Sequence, residues 1–246
     1  MKEYRGPDGE RRLWFRDNEI EDIMADELRR CGMFPTPSTP VVDLEAFLEV
    51  HLGVKLDLYA ELESDLLGVS RFATGWQPMV DINRDLTTQA NEVIRSRGLL
   101  GRWRATLAHE AAHVVLHRHL VERPREQGTL FSFGAESETV ATRCLERNIW
   151  FTRGTGDWKE VQANQGMASL LMPSRPFTDL ARHIVGVGAT DDLLAYIPET
   201  DAPAFSDLIR ELSTRCQVSQ EAIRIRLNTL GLARLSSEPM LGLEPK

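Results

Sequence analysis

Two imidazoles one helical turn apart with a carboxylate between them, His109-Glu110-Ala111-Ala112-His113, can hold a metal ion and bring its own base to it. At i and i+4 the two histidines lie about 40° apart on one helix face, so their ring nitrogens can converge on one ion. Glu110 points about 100° away from His109, where it can reach a water beside the ion without being a ligand itself. A carboxylate so placed is the general base of zinc hydrolases. The competing reading is a solvated, histidine-rich helix. Against it, Leu107, Ala111, Val114 and Val115 fall at i, i+4, i+7 and i+8 and form one apolar stripe, which puts the motif on a helix over residues 102–119. The small residues Ala108 and Ala112 leave room beside the histidines for an ion and a peptide.

A zinc site that does chemistry takes three protein ligands and leaves one position open, so a third ligand is needed. His119 stands ten residues after His109, the offset of the third histidine in H-E-x-x-H-x-x-G-x-x-H proteases. Leu116 occupies the glycine position, however, and an unbroken helix carries His119 about 15 Å along the axis from His109. His117 is also too far along the axis for three-way coordination and is expected to contact surface groups. A better candidate lies on a second helix, capped by Asp157 and ended near Met172 by Pro173 and Pro176. There Glu160 and Asn164 are again i and i+4. Glu160 can bind the metal while Asn164 hydrogen-bonds the far nitrogen of a ligating histidine and fixes its tautomer. The same spacing suits two ordinary polar residues on a solvated helix face.

The run Ala105-Thr106-Leu107-Ala108-His109-Glu110-Ala111-Ala112-His113-Val114-Val115-Leu116-His117, followed by Glu160-Val161-Gln162-Ala163-Asn164 and Leu170-Leu171-Met172-Pro173, resembles the ImmA/IrrE metallopeptidases. Those show T-L-A-H-E-x-x-H-x-x-L-H and then E-x-x-A-N-x-x-A-x-x-L-L-M-P. The resemblance covers residues 80–232. It implies that His109, His113 and Glu160 hold the metal, that Glu110 is the base, and that the substrate is a protein partner, typically a helix-turn-helix repressor of a mobile element or stress regulon. Two departures bear on substrate fit: Gln165-Gly166-Met167 stands where the family often has an aromatic, and the insertion at residues 123–155 is long.

Composition agrees with such an enzyme. The chain has 246 residues, 42% hydrophobic and 27% charged, enough for one core and a small appendage. No segment approaches a membrane span, the first residues lack a signal-peptide core, and Cys31, Cys144 and Cys216 are few and far apart, as free thiols in a reducing compartment would be. A cytoplasmic protein without membrane contact is expected. Cys144 invites consideration as a ligand, but buried filler suits a lone cysteine better. A net charge of -8 argues against broad nonspecific nucleic-acid binding.

The elements that must position the motif follow from pattern. Residues 18–33 read as an opening helix and 35–40, with three prolines, as a linker. Asp43 caps a helix over 44–52 that ends at Gly53, and residues 54–58, 68–72 and 79–83 alternate as strands of a small sheet. In zinc peptidases an edge strand pairs with the extended substrate, a role expected for one of the latter two strands. Residues 122–156 read as a long loop with a short helix over 137–148. Tyr196 and His183 are candidate oxyanion stabilisers.

At the C-terminal end, residues 206–216 and 219–230 form two amphipathic helices with Leu208, Leu212, Ile223, Leu227 and Leu230 inward and Gly231 closing the second. This is a helix-turn-helix outline, and the run from Val218-Ser219 to Leu230-Gly231 follows the family's V-S-x-x-A-x-x-x-R-L-x-x-L-G. Arg224, Arg226 and Arg234 could face phosphates. Asp207, Glu211 and Glu221 offset them, which favours a structural or protein-docking use over DNA contact.

The expected fold is α+β and mainly helical. It comprises an N-terminal helix and linker (1–40), a zincin-like metallopeptidase domain with a small mixed β-sheet and the H-E-x-x-H helix (41–186), and a helix-turn-helix-like C-terminal segment (187–246). The expected function is zinc-dependent cleavage of a specific repressor, with one ion per chain and manganese as the alternative metal. The competing function is a non-cleaving regulatory protein that binds metal and docks a repressor or DNA through its C-terminal helices.

Overall fold

The computed structural model of the chain describes residues 2–5, 11–73, 75–92, 97–122, 140–145, 158–186 and 202–232. A short antiparallel hairpin, β1 (Lys2–Arg5) and β2 (Arg11–Trp14), leads into helix α1 (Asp17–Arg30). Glu19 starts that helix by accepting a hydrogen bond from the backbone N–H of Arg16 at 2.9 Å. Ile20, Met24 and Leu28, one turn apart, bury its inner face. The Asp43 side chain accepts from the Ala46 N–H at 3.0 Å and so begins α2 (Leu44–Ala46), as expected. The turn then widens into a π-helical stretch, Phe47–His51, before Gly53 ends it with φ +64°.

Strands β3 (Lys55–Ala60), β4 (Leu66–Phe72), β5 (Met79–Asn83) and β6 (Val140–Leu145) form one mixed sheet in the order β3-β5-β4-β6. β3 and β5 run parallel, whereas β4 is antiparallel to both β5 and β6. Two expectations change here. Residues 140–145 are a strand and not part of a short helix. The alternating, partly β-branched Val140, Thr142 and Cys144 register along β4 from Phe72 to Gly68, and the ladder that β4 offers outweighs local helix propensity. Glu122, expected to open the loop, ends a helical turn, and residues 123–139 and 146–156 lie outside the described residues. Second, neither β4 nor β5 is an edge strand; β3 and β6 take the edges. Backbone pairing of a substrate to β4 or β5 is therefore blocked by their existing neighbours.

Helix α3 (Arg84–Asn91) follows β5, capped by the Asn83 side chain. Then comes α4 (Arg97–His117), which carries the motif, with a single further turn, α5 (His119–Glu122). Ala105, Leu107, Ala108, Ala111, Ala112, Val114 and Leu116 are all buried. The expected stripe is thus part of a helix enclosed on almost every side, the central rod of the core. Ala112 does not open space for a peptide. It is covered by Gly166 of α6 (Trp158–Leu171), where a Cβ would stand 2.7 Å from that of Ala112 and 2.8 Å from Met24 Cε. Two small residues face to face let α4 and α6 approach closely.

Pro173 ends α6 and caps α7 (Ser174–Val185). Helices α8 (Ala202–Cys216) and α9 (Gln220–Thr229) complete the described chain, α9 capped by Ser219. Leu208, Leu212, Ile223 and Leu227 are buried as expected, and one hydrophobic cluster runs from Phe15 to Leu227. Arg226 overturns its expected role. It is 2% exposed, donates to the carbonyl of Met172 at 2.9 Å and pairs with Glu21 at 2.7 Å, so it cannot face a phosphate. Arg224 remains at the surface beside Glu221, and Arg234 lies outside the described residues. The chain is α+β and mainly helical, with a small mixed sheet. Among the described residues no helix is long and apolar enough to cross a membrane.

Candidate metal centre

The close crossing of α4 and α6 brings three side chains to one point. His109 Nε2 lies 3.1 Å from His113 Nε2 and 3.2 Å from Glu160 Oε2, and His113 Nε2 lies 3.3 Å from Glu160 Oε1. Both histidines are fully buried and Glu160 nearly so. A tetrahedral ion with ligand bonds of about 2.0–2.1 Å holds its ligand atoms about 3.3–3.4 Å apart, and the observed triangle has almost that size before any ion is placed in it. The partners on the outer side agree. His109 Nδ1 is 3.0 Å from Asn164 Oδ1, so the ring donates there and turns an Nε2 lone pair inward. Glu160 Oε2 is buried without a hydrogen-bond partner. Two ring nitrogens and a carboxylate thus converge within 3.3 Å of one another. His109, His113 and Glu160 could therefore hold a metal ion.

Electrostatics support the same arrangement. Burial alone raises the pKa of Glu160, but the His109 and His113 imidazoles, 3.2 and 3.3 Å away, reverse this and hold its carboxyl far below the usual carboxylate range. Glu110 behaves in the opposite way. Its fully buried carboxyl is pushed up to about 7 by burial, only partly offset by His109 and a hydrogen bond from Ser70. The two buried acids are thus pushed in opposite directions by their surroundings.

Glu110 is held by the sheet. The Ser70 hydroxyl, on β4, donates to Glu110 Oε2, while Oε1 has no hydrogen-bond partner. A Cβ on Gly68 would come within 2.8 Å of that Oε1 and 3.0 Å of Thr106 Cγ2, so glycine lets β4 lie against the Glu110 carboxyl without either side chain shifting.

All five residues assigned from sequence meet here: His109, Glu110, His113, Glu160 and Asn164. His117 does not contact the surface as expected. It is buried, with Nδ1 2.9 Å from His113 Nδ1 and Nε2 3.1 Å from Gln162 Oε1. Burial, then the neighbouring His113, keeps it well below the ordinary histidine pKa and therefore neutral. The sequence carries a signal for it, since His109, His113 and His117 repeat every four residues along one face. Ser70 and Gly68 carry none, being some forty residues away with no spacing relation to the motif. Cys144 is buried, and its sulfur lies within 4.8 Å of a ligand atom of His109 and of Glu110. Burial and the nearby Glu110 and Glu160 raise its pKa well above normal, so it stays a thiol and a poor ligand. His183 is exposed on α7, apart from the buried cluster, and Tyr196 lies outside the described residues.

No protein-family model matches this sequence, and no curated protein matches it.

Proposed function

We propose that the protein is a zinc-dependent metallopeptidase of the ImmA/IrrE kind, with a zincin-like core, that cleaves a specific protein partner in the cytoplasm. The observation that carries this reading is the triangle of His109, His113 and Glu160 with Glu110 one residue from a ligand. Zinc, when bound, supplies a Lewis acid that polarises a carbonyl and makes water a nucleophile near neutral pH. Glu110, with its carboxyl pushed up to about 7, takes a proton from the attacking water and gives it to the leaving amine. Ser70 fixes Oε2 and leaves Oε1 to carry that proton. Asn164 keeps His109 in the tautomer that ligates. Manganese is the alternative metal. The α8–α9 pair, with Arg226 committed to the interior, suits docking of a helix-turn-helix repressor better than contact with DNA.

One observation favours a second reading. His109, Glu110 and His113 are all 0% exposed, as they would be around a structural metal in a protein that binds its repressor without cutting it.

The deciding experiment measures zinc per chain by elemental analysis in the wild type, Glu160→Ala and Glu110→Gln, and then incubates each with a helix-turn-helix repressor encoded beside the gene. About one zinc in the wild type and in Glu110→Gln, a marked loss in Glu160→Ala, and cleavage by the wild type alone are expected. Cleavage by Glu110→Gln at the wild-type rate would remove the base. Zinc binding with repressor capture but no cut would establish the second reading. A folded wild type that takes up no zinc would remove both.

A further inference from the structure

The two ligating histidines are supported differently. His109 reaches its amide acceptor on α6 directly, whereas His113 reaches one only through another imidazole: His113 Nδ1, His117 Nδ1 at 2.9 Å, His117 Nε2, and Gln162 Oε1 at 3.1 Å. His117 is 2% exposed and Gln162 5%, and the His117 and Trp158 rings pack nearly perpendicular, with centroids 5.5 Å apart at 87°. Both nitrogens of this buried imidazole are engaged, one by His113 and one by an acceptor of fixed polarity, so its tautomer is coupled to that of His113.

The direction of the chain of bonds follows from its last member. An amide oxygen only accepts, so His117 carries its proton on Nε2 and presents a lone pair at Nδ1. His113 must then donate from Nδ1, which leaves its Nε2 lone pair facing His109 and Glu160. The reversed chain has a different consequence. An amide nitrogen in place of Gln162 Oε1 would donate to His117, put the His117 proton on Nδ1, and force the His113 proton onto Nε2, into the space a metal needs.

We propose that His117 and Gln162 are a positioning pair that sets the tautomer of His113 and thereby the affinity of the centre for a divalent cation. The inference rests on His109, His113 and Glu160 being metal ligands and is independent of whether a peptide is cut.

The test uses the full chain and zinc alone. Ring-15N-histidine NMR reports which nitrogen of each ring is protonated, and competition with a chromophoric chelator reports affinity. In the zinc-loaded wild type His113 is protonated on Nδ1 and His117 on Nε2. His117→Phe weakens zinc binding about 10- to 100-fold, the usual cost of losing an outer-shell partner of a metal-bound histidine. Gln162→Met, of similar size but without an acceptor, weakens it in the same direction. Gln162→Glu, whose carboxylate accepts the same proton, retains wild-type affinity and the wild-type tautomers. A pair that merely packed would give equal affinities for the Met and Glu variants, and that result overturns the proposal, as does a His117 proton on Nδ1 in the zinc-loaded wild type. Should His117→Phe fail to fold, the two Gln162 variants decide alone. Zinc uptake with the stated tautomers but no cleavage of any repressor defeats the peptidase reading and leaves this one standing; a folded wild type that takes up no zinc defeats both.

Discussion

Glu21 and Arg226 sit in the interior with their needs met: Glu21 accepts from Arg226 at 2.7 Å, from Ser169 at 2.8 Å and from the backbone of Ser174 at 2.6 Å, and Arg226 also donates to Met172. A few turns away along α6, Glu160 faces two imidazoles, with one buried oxygen that accepts no hydrogen bond. The first cluster balances donors against acceptors and ties α1, α6 and α9 together. The second gathers two imidazoles and a carboxylate at one point in the same core and leaves Glu160 Oε2 without a hydrogen-bond partner. Polar groups are expensive to bury without partners, so the contrast supports the second cluster as a place that could hold a metal ion. Burial alone therefore does not distinguish these two clusters; the match of donors to acceptors within each does.

The contrast can be broken from the structural side. Arg226→Met removes the cation paired with Glu21 and should destabilise the fold by about 3 kcal/mol, the low end for a broken buried pair because Glu21 keeps 16% exposure. Urea denaturation checks this, and zinc content per folded chain should stay unchanged.

Gly166→Ala acts on the other cluster. The added methyl has 2.7 Å to the Ala112 Cβ, and either α4 or α6 must give. A loss of about 1–3 kcal/mol is expected, with a fall in zinc affinity because Glu160 rides on α6. Tight zinc binding in this variant would show that the ligand triangle does not depend on the close helix crossing.

The smallest effect is on acid stability. Burial opposes ionisation of Glu21, but Arg226 more than offsets it and lowers the folded-state pKa. A carboxylate with a depressed folded pKa contributes stability above its unfolded pKa of about 4.3, and that contribution is lost as pH falls toward and through the folded value. Urea midpoints should therefore drop from about pH 6 to about pH 3 more steeply in the wild type than in Arg226→Met. Parallel slopes in the two proteins would mean that Arg226 does not set the ionisation of Glu21.

Much of the site is legible in the amino-acid sequence because its chemistry is local. The i, i+4 spacing puts His109 beside His113 on any helix, and the same spacing links Glu160 to Asn164. His117 continues that spacing by one more turn, yet its burial depends on what covers the end of α4, which no local pattern encodes. Strand β6 departs from its expected helix for a related reason. Six residues with an undecided preference become a strand when β4 offers an unpaired edge. Arg226 has the local pattern of a surface cation, but Glu21, more than two hundred residues earlier, lies against it.

The sequence by itself indicated the opening helix, the motif helix α4, α6, the α8–α9 pair, three of the four strands of the larger sheet, and the residue types of a candidate metal site, but not helices α3 and α7 or the β1–β2 hairpin. Those features depend on hydrogen bonds and periodicities that span a few residues. Only the tertiary structure decided that α4 lies enclosed at the centre, that Gly166 lets α6 bring Glu160 within 3.3 Å of the histidines, that Ser70 and Gly68 seat Glu110, and that Arg226 points inward. Each of these depends on close contact between segments distant in the chain, where the size of one side chain and the charge of another are settled by the packing of the whole core.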